Sequence, residues 1–400
     1  MSAPLDGIRV LDLTLYAFGP RTAEYLAEMG AEVIKIERPQ GGDPLRGEKS
    51  LRGIPVGRFN SYFEQIQRGK KSIAIDLHHE KAREAVHRLV EKVDVFVTNL
   101  RASGLQRLGM DYDTLSEINP RLIYAIGTGW GLKGPARDRG AFESTGFATS
   151  GLVTSFLDPS LRPPLCPPAF GDYAAATMLA YGIMLALFNR ERTGEGQMVH
   201  TSLLGSLLKL ISCCVDASLD ADQNMFGQPH EEDNPFYSMY QTRDGRWIQM
   251  AAVQDYRDWP VVCEAIGIEH LRDDPRFSTV EARRDNSRAL ISVFDEVFIG
   301  RTQSEWIERL EKYQFPWAPI KHFTELASDP QMLENEYIVS LNDPEVGEVK
   351  VVGVNVELSK TPGIIGSKAP ELGQHTEEVL LDLGYTWEEI ILMKEQGAVL

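Results

Sequence analysis

Two alternating hydrophobic periods through the first third of the chain restrict the fold more than any other feature. "IRVLDLT" (8–14), "AEVIKIE" (31–37), "SIAIDL" (72–77), "VDVFVTN" (93–99) and "RLIYAIGT" (121–128) are short apolar runs of the kind that form buried strands. Between them apolar residues recur at helical spacing, as in "RTAEYLAEMG" (21–30), which ends on Gly30, and again across 79–92. Strands separated by helices imply parallel βαβ units and therefore a doubly wound α/β layer.

The pattern changes further along. From 172 to about 222, two long helical patterns flank "GQMVHTS" (196–202). The polar, proline-containing stretch "QPHEEDNPFYS" (228–238) reads as a crossing into a second domain, in which Asp244-Gly245 sets a hairpin turn. Strand-like runs return after "FPWAPI" (315–320) and lead to two helices around 376–396. The expected organisation is a larger domain over 1–225, a smaller α/β domain over 226–325, and a return to the larger domain over 326–400.

Composition narrows the function. A net charge of −17 over 400 residues argues against broad affinity for nucleic acid or an anionic membrane. The four cysteines, Cys166, Cys213, Cys214 and Cys263, form no CxxC pair, and no histidine stands at zinc-site spacing. Reduced thiols and no bound metal are the expectation. The opening "MSAPLDGIRVLDLT" lacks a basic start followed by an apolar core, so a cytoplasmic location is expected. Only 174–188 is apolar enough to suggest a membrane span; it is short and rich in alanine, and a buried core helix is expected there.

A dinucleotide-binding βαβ unit needs GxGxxG between its first strand and helix, whereas the turn here, "LYAFGPR", has one glycine. That excludes the NAD reading. Between 35 and 71, however, nine basic residues (Lys35, Arg38, Arg46, Lys49, Arg52, Arg58, Arg68, Lys70, Lys71) face four acidic ones. A polyphosphate ligand would account for such a local excess; so would an ordinary solvated loop.

"CPPAFGDYAAATMLAYG" (166–182) carries one carboxylate, Asp172, ahead of a run of small and apolar residues. Asp is a preferred helix N-cap, which is the commoner use of such a residue. It is also a potential nucleophile. In that reading Gly171 admits substrate to the backbone, and the helix start offers N–H groups to a developing oxyanion. Spacing alone leaves both open. The eight histidines are scattered, including His78-His79, His200 and His375, and none has a carboxylate or cysteine at fixed spacing. "SLLGS" (202–206) is not a GxSxG elbow, so the sequence gives serine-hydrolase chemistry no support.

Several stretches follow one another in a specific order: "PLDGIRVLDLT…GP…LAEMGAEVIKIERPQGGDPLRG", "RGKKSIAIDL", "VTNLRASGLQRLGMDYDTLSEINPRLIYAIGTGWG", "GDYAAA", "RTGEGQMVHTSLL", "DPRF", "RTQSEWIERLE" and "APELGQHTEEVL". Together they resemble the class III CoA-transferase family, the group containing formyl-CoA and carnitine CoA-transferases, over nearly the whole chain. The resemblance implies a Rossmann-like large domain, a smaller α/β domain and an interlocked dimer, either homodimeric or paired with a paralogue. It implies coenzyme A, carried as an acyl-CoA substrate, and a carboxylic acid acceptor, without metal, nucleic acid or membrane. It makes Asp172 the nucleophile and Glu143, in "GAFES", a residue assisting substrate positioning. Arg38, Lys71, Asn99 and Arg107 would hold CoA, with Leu100 and Leu108 against the nucleotide.

Three departures from the family bear on this expectation. Ala17 and Phe18 occupy a turn where relatives often have a polar residue. "AAVQDYRDW" (251–259) lacks the glycine-run loop of formyl-CoA transferases. The alpha-methylacyl-CoA racemases of the same superfamily resemble one another in a His-Asp-Ile-Asn-Tyr motif, where this chain reads Ala141-Phe142-Glu143-Ser144-Thr145. Racemisation is the weaker alternative without that histidine. A CoA-binding paralogue subunit without activity is a third, and the intact Gly171-Asp172 pair argues against it. Phe18, Trp130 and Phe142 are candidates for an acyl pocket.

Overall fold

The computed structural model describes residues 3–57, 59–156, 162–227, 229–232, 234–252 and 255–400. It divides into two compact units, the first built from Met1–Ser155, Pro163–Asn224 and Pro330–Leu400, the second from Met225–Asp329.

The first unit is organised by one six-stranded sheet: β1 (Arg9–Leu13), β2 (Glu32–Glu37), β3 (Lys71–Ala74), β4 (Val95–Thr98), β5 (Ile123–Thr128) and β6 (Gln197–Ser202). All neighbours are parallel and the order is β3-β2-β1-β4-β5-β6. This is the strand order of a Rossmann fold, in which the direction of winding reverses between β1 and β4. The reversal opens a crevice at the carboxyl ends of those two strands. Asn99, just past β4, bridges it: its amide accepts from Leu15 N at 2.9 Å and donates to Leu15 O at 2.7 Å.

The inner strands are apolar on both faces because helices cover both, whereas the edge strand β6 is mostly exposed. On one face α1 (Phe18–Glu28) packs with a 24-residue helix, here α5 (Phe170–Thr193). On the other lie α2 (Glu80–Val90), α3 (Ala102–Leu108) and two helices from the chain's far end, Thr376–Asp382 and Trp387–Glu395. Ala175 and Ala176 let α5 approach the sheet closely, and Leu179 and Ile183 continue the same buried stripe. Each of those two larger side chains contributes roughly 1.5–3 kcal/mol on burial.

Among the described residues, α5 alone is long and apolar enough to cross a membrane. Only one side of it is core: Tyr181, Leu185 and Phe188 are 62%, 51% and 66% exposed. The expectation of a fully buried helix over 174–188 is therefore corrected. The periodicity is weak because both sides are apolar, one facing the sheet and one facing outward.

The edge strand β3 is closed by residues three hundred positions downstream. Ser72 N donates to His375 Nδ1, Ala74 N to Thr376 Oγ1, and Leu400 N to Ala74 O, at 3.0–3.2 Å. An antiparallel bridge joins Ile75 to Val399.

The second unit has a three-stranded antiparallel sheet, Met239–Gln241, Trp247–Met250 and Trp317–Pro319, with the Asp244-Gly245 turn in the first hairpin. Its separate core gathers Phe236, Tyr240, Trp259, Phe294, Phe298 and Trp306.

Candidate active site

In a right-handed β5–α5–β6 crossover the helix runs antiparallel to the strands, so its N-terminus comes out at their carboxyl ends. That delivers Asp172 to the crevice side of the sheet. Two short elements build its surroundings. One is α4 (Glu143–Thr149), in the loop between β5 and α5; the other is the helix Ser61–Gln67, which brings Tyr62.

Asp172 is not the cap of α5. The N-cap is Ala169, held in the left-handed region at φ +64° with no side-chain acceptor of its own, and Asp172 is the third residue of the helix. The acceptor comes from α4. Glu143 takes the Ala169 N–H at 2.8 Å on one carboxylate oxygen and the Gly171 N–H at 3.1 Å on the other. Gly171 suits this arrangement: a Cβ there would stand 3.2 Å from the Glu143 Cβ, tighter than ordinary contact. The first free N–H groups of α5, expected to face an oxyanion, are thus already occupied by a carboxylate.

Two carboxyls consequently share one partly buried corner. Burial pushes the Asp172 carboxyl up to about 7, and the Glu143 charge adds to the effect. Burial also raises Glu143, opposed by the backbone N–H groups that it accepts. Arg52 lies within electrostatic reach and opposes the upward shift of Glu143, and so do two further side chains, Tyr62 and Cys166, lie within reach. The Tyr62 phenol is held protonated by burial, then by the charges of Asp172 and Glu143. Burial and Glu143 push the buried Cys166 thiol up to about 11. Neither residue stands at a spacing that sequence reasoning could use.

Of the proposed CoA-binding residues, the structure brings Arg38, Asn99 and Leu100 to the carboxyl ends of β2 and β4, with Arg107 and Leu108 one short helix further on, in α3. Arg38 is exposed and donates to Gly42 O at 3.2 Å through Nε, and an exposed guanidinium is a group suited to phosphate. Arg107 is exposed in the last turn of α3. Leu100 and Leu108 are partly buried against the sheet's core. Asn99 acts first as the Leu15 bridge.

Lys71 departs from this group. It is the first residue of the four-residue β3, paired with Ile34 and about 10 Å of strand before the carboxyl end of β3. There its Nζ lies 2.8 Å from both Glu32 and Glu378.

Part of the basic excess of 35–71 is spent inside the fold. Lys35 and Lys70 are fully buried: Lys35 pairs with Asp43 at 3.1 Å and donates to Thr14 O, and Lys70 pairs with Asp12 at 2.8 Å and donates to Pro20 O and Gln67. Arg46 forks onto Glu37 at 2.6 and 2.8 Å, and Ser72 Oγ completes that carboxylate. These charges knit the loops together internally. Arg58 lies outside the described residues.

The three aromatic candidates have different surroundings. Phe18 is core and packs on Gly127, where a Cβ would be 2.6 Å from its ring. Trp130 donates to Gly140 O at 3.3 Å. Phe142 is exposed, edge-on to Tyr16 with centroids 5.5 Å apart. In the segment 251–259, Val253 and Gln254 lie outside the described residues.

With this geometry in place, comparison with known proteins decides the family. Residues 5–376 match CoA-transferase family III. The chain belongs to that family. It is 33% identical over 99% of its length to the succinyl-CoA–D-citramalate CoA-transferase of Chloroflexus aurantiacus, covering 98% of that protein. It is 32% identical to the formyl-CoA:oxalate CoA-transferase of Streptomyces avermitilis, with full coverage of both chains. Among solved structures, a CAIB/BAIF family protein from Brucella suis superimposes with a TM-score of 0.83 at 27% identity, covering 96% of this chain and all of that one. Family members with such names act on CoA-linked substrates, and among the described residues no group of three or more His, Cys, Asp or Glu is placed to hold a metal.

Proposed function

We propose that this family III protein moves CoA from an acyl-CoA to a free carboxylic acid, with Asp172 as the covalent carrier. The observation that carries the reading is the Asp172 carboxyl itself. It is placed at the crevice by the crossover, and burial beside Glu143 raises it to about 7. A more basic carboxylate is a better nucleophile, and at neutral pH a large share of it is ionised.

The Asp172 carboxylate attacks the donor thioester, giving a mixed anhydride and CoA thiolate. The thiolate then attacks the Asp172 carbonyl, forming an aspartyl-CoA thioester and freeing the donor acid. The acceptor carboxylate attacks that thioester, again releasing thiolate. The thiolate takes the acceptor acyl group from the second anhydride and regenerates Asp172. Glu143 has a positioning role: it fixes the first turn of α5, and its charge keeps Asp172 basic. Arg38 and Arg107 supply cationic contacts for the phosphates of CoA. A dimer, interlocked as the resemblance implies, is part of the same reading, and the outward apolar side of α5 supports it.

The test is chemical trapping. Incubation with succinyl-CoA or acetyl-CoA followed by hydroxylamine is expected to leave a hydroxamate on Asp172, and Asp172→Ala is expected to lose both trapping and transfer while its circular dichroism is unchanged. Transfer retained in that variant would sink the assignment. Solvent deuterium entering the α-position without transfer would favour a racemase. A panel of carboxylic acid acceptors identifies the acid pair.

A further inference from the structure

In the second unit, three side chains distant in sequence form one hydrogen-bonded line. His230 starts the single turn His230–Glu232, Ser238 leads into the strand Met239–Gln241, and Asp295 lies on the helix Ser287–Phe298. His230 Nδ1 is 3.0 Å from Ser238 Oγ, and Nε2 is 3.0 and 3.2 Å from the two Asp295 oxygens. The ring is steadied edge-on by Tyr240, centroid to centroid 5.6 Å.

The protons follow from the partners. A carboxylate only accepts, so Nε2 carries the hydrogen; in the neutral ring Nδ1 then presents its lone pair to the serine hydroxyl, which donates. This is the division of roles in a serine–histidine–acid triad, in which the roles and not the chain order are diagnostic. The two ring nitrogens are exchanged relative to the common hydrolase arrangement, but both are basic, and each can relay a proton when the other is held by a carboxylate. All three residues line an open cavity of about 620 Å³, Ser238 being itself only 4% exposed, and the remaining wall is Met239, Gln241, Trp247, Glu296 and Ile299. A purely structural clamp would need the hydrogen bonds but not the cavity.

We propose that Ser238, His230 and Asp295 form a second reactive centre, a base-activated serine that takes esters of apolar or aromatic acids. As Oγ bonds to the ester carbonyl carbon, its proton passes to Nδ1 of His230. The carbon–oxygen bond to the leaving alcohol breaks, and the alcohol leaves with that proton. Water then attacks the acyl-serine, giving a proton to His230; the acid departs and Oγ recovers the proton. Asp295 orients the ring and offsets its transient positive charge.

The test uses the intact protein, an alkyl fluorophosphonate probe read by intact mass and peptide mapping, and p-nitrophenyl butyrate hydrolysis. A single adduct is expected on Ser238, abolished in Ser238→Ala, formed at least about tenfold more slowly in His230→Gln, and unchanged in Asp172→Asn. Ester hydrolysis is expected to follow the same order. Because Asp172→Asn removes the transfer nucleophile, failure of either centre is seen independently of the other. No adduct on Ser238 in the wild-type protein, or labelling indifferent to His230→Gln, would overturn the proposal.

Discussion

A carboxyl that titrates near 7 makes its own prediction. With Asp172 as nucleophile, kcat/KM is expected to rise tenfold per pH unit below about pH 7 and level off above it, since only the ionised form attacks. Asp172→Asn is expected to lower kcat by roughly 10⁴-fold or more, as loss of a covalent nucleophile does. Glu143→Gln leaves the burial but removes the neighbouring charge, so the midpoint of the pH–rate profile moves down; an unmoved midpoint would count against the electrostatic role. Stability has the opposite dependence. The folded-state pKa lies above the unfolded value, so the wild-type protein loses stability as pH rises from about 4 through about 7. Asp172→Asn is therefore expected to be more stable at pH 8, by about 1–2 kcal/mol after allowing for solvent screening, with the gap closing at pH 4. Chemical denaturation at the two pH values checks this. Asp172 could be singled out in the sequence because its neighbours form a family motif. Its partner's task could not: Glu143 caps a helix whose N-cap, Ala169, lies 26 residues later, and no local spacing encodes such a contact.

At the scale of elements, the five strands of the first third were legible as short apolar runs, whereas β6, QMVHTS, is mostly exposed and carries no such run. The charged residues of 35–71 were not legible, because a count of charges treats each as solvated. In the fold Lys35 and Lys70 are buried and are satisfied by Asp43 and Asp12. Lys70→Ala leaves Asp12 buried without its cation and is expected to cost about 3–5 kcal/mol, read as a lowered unfolding midpoint. Arg38→Ala, on the exposed side, is expected to raise KM for the acyl-CoA severalfold with the midpoint unchanged. Glu37 adds an acid limb. Burial opposes its charge, but the Arg46 fork, Lys35 and Ser72 hold its pKa down to about 2. Its contribution is fully present above about pH 4.5 and is lost as pH falls towards 2.

For the whole molecule, the outward side of α5 sets the expectation. A helix presenting Tyr181, Leu185 and Phe188 beside a sheet-facing stripe of alanines has apolar surface on two sides, and only one of them is covered within the chain. Sedimentation velocity is expected to give twice the chain mass, and the pair Tyr181→Asp with Phe188→Asp to weaken that assembly; a stable, active monomer would refute the dimer. The closure of β3 bears on how the chain is made. Its hydrogen bonds reach across 302 residues to Thr376. At 5–20 residues per second, translation leaves this strand edge open for about 15–60 s. During that interval the nascent chain displays unpaired strand backbone next to an apolar face, a form that a chaperone can shelter and that another nascent chain could join. Holdase co-expression is therefore expected to raise soluble yield more than a stronger core would.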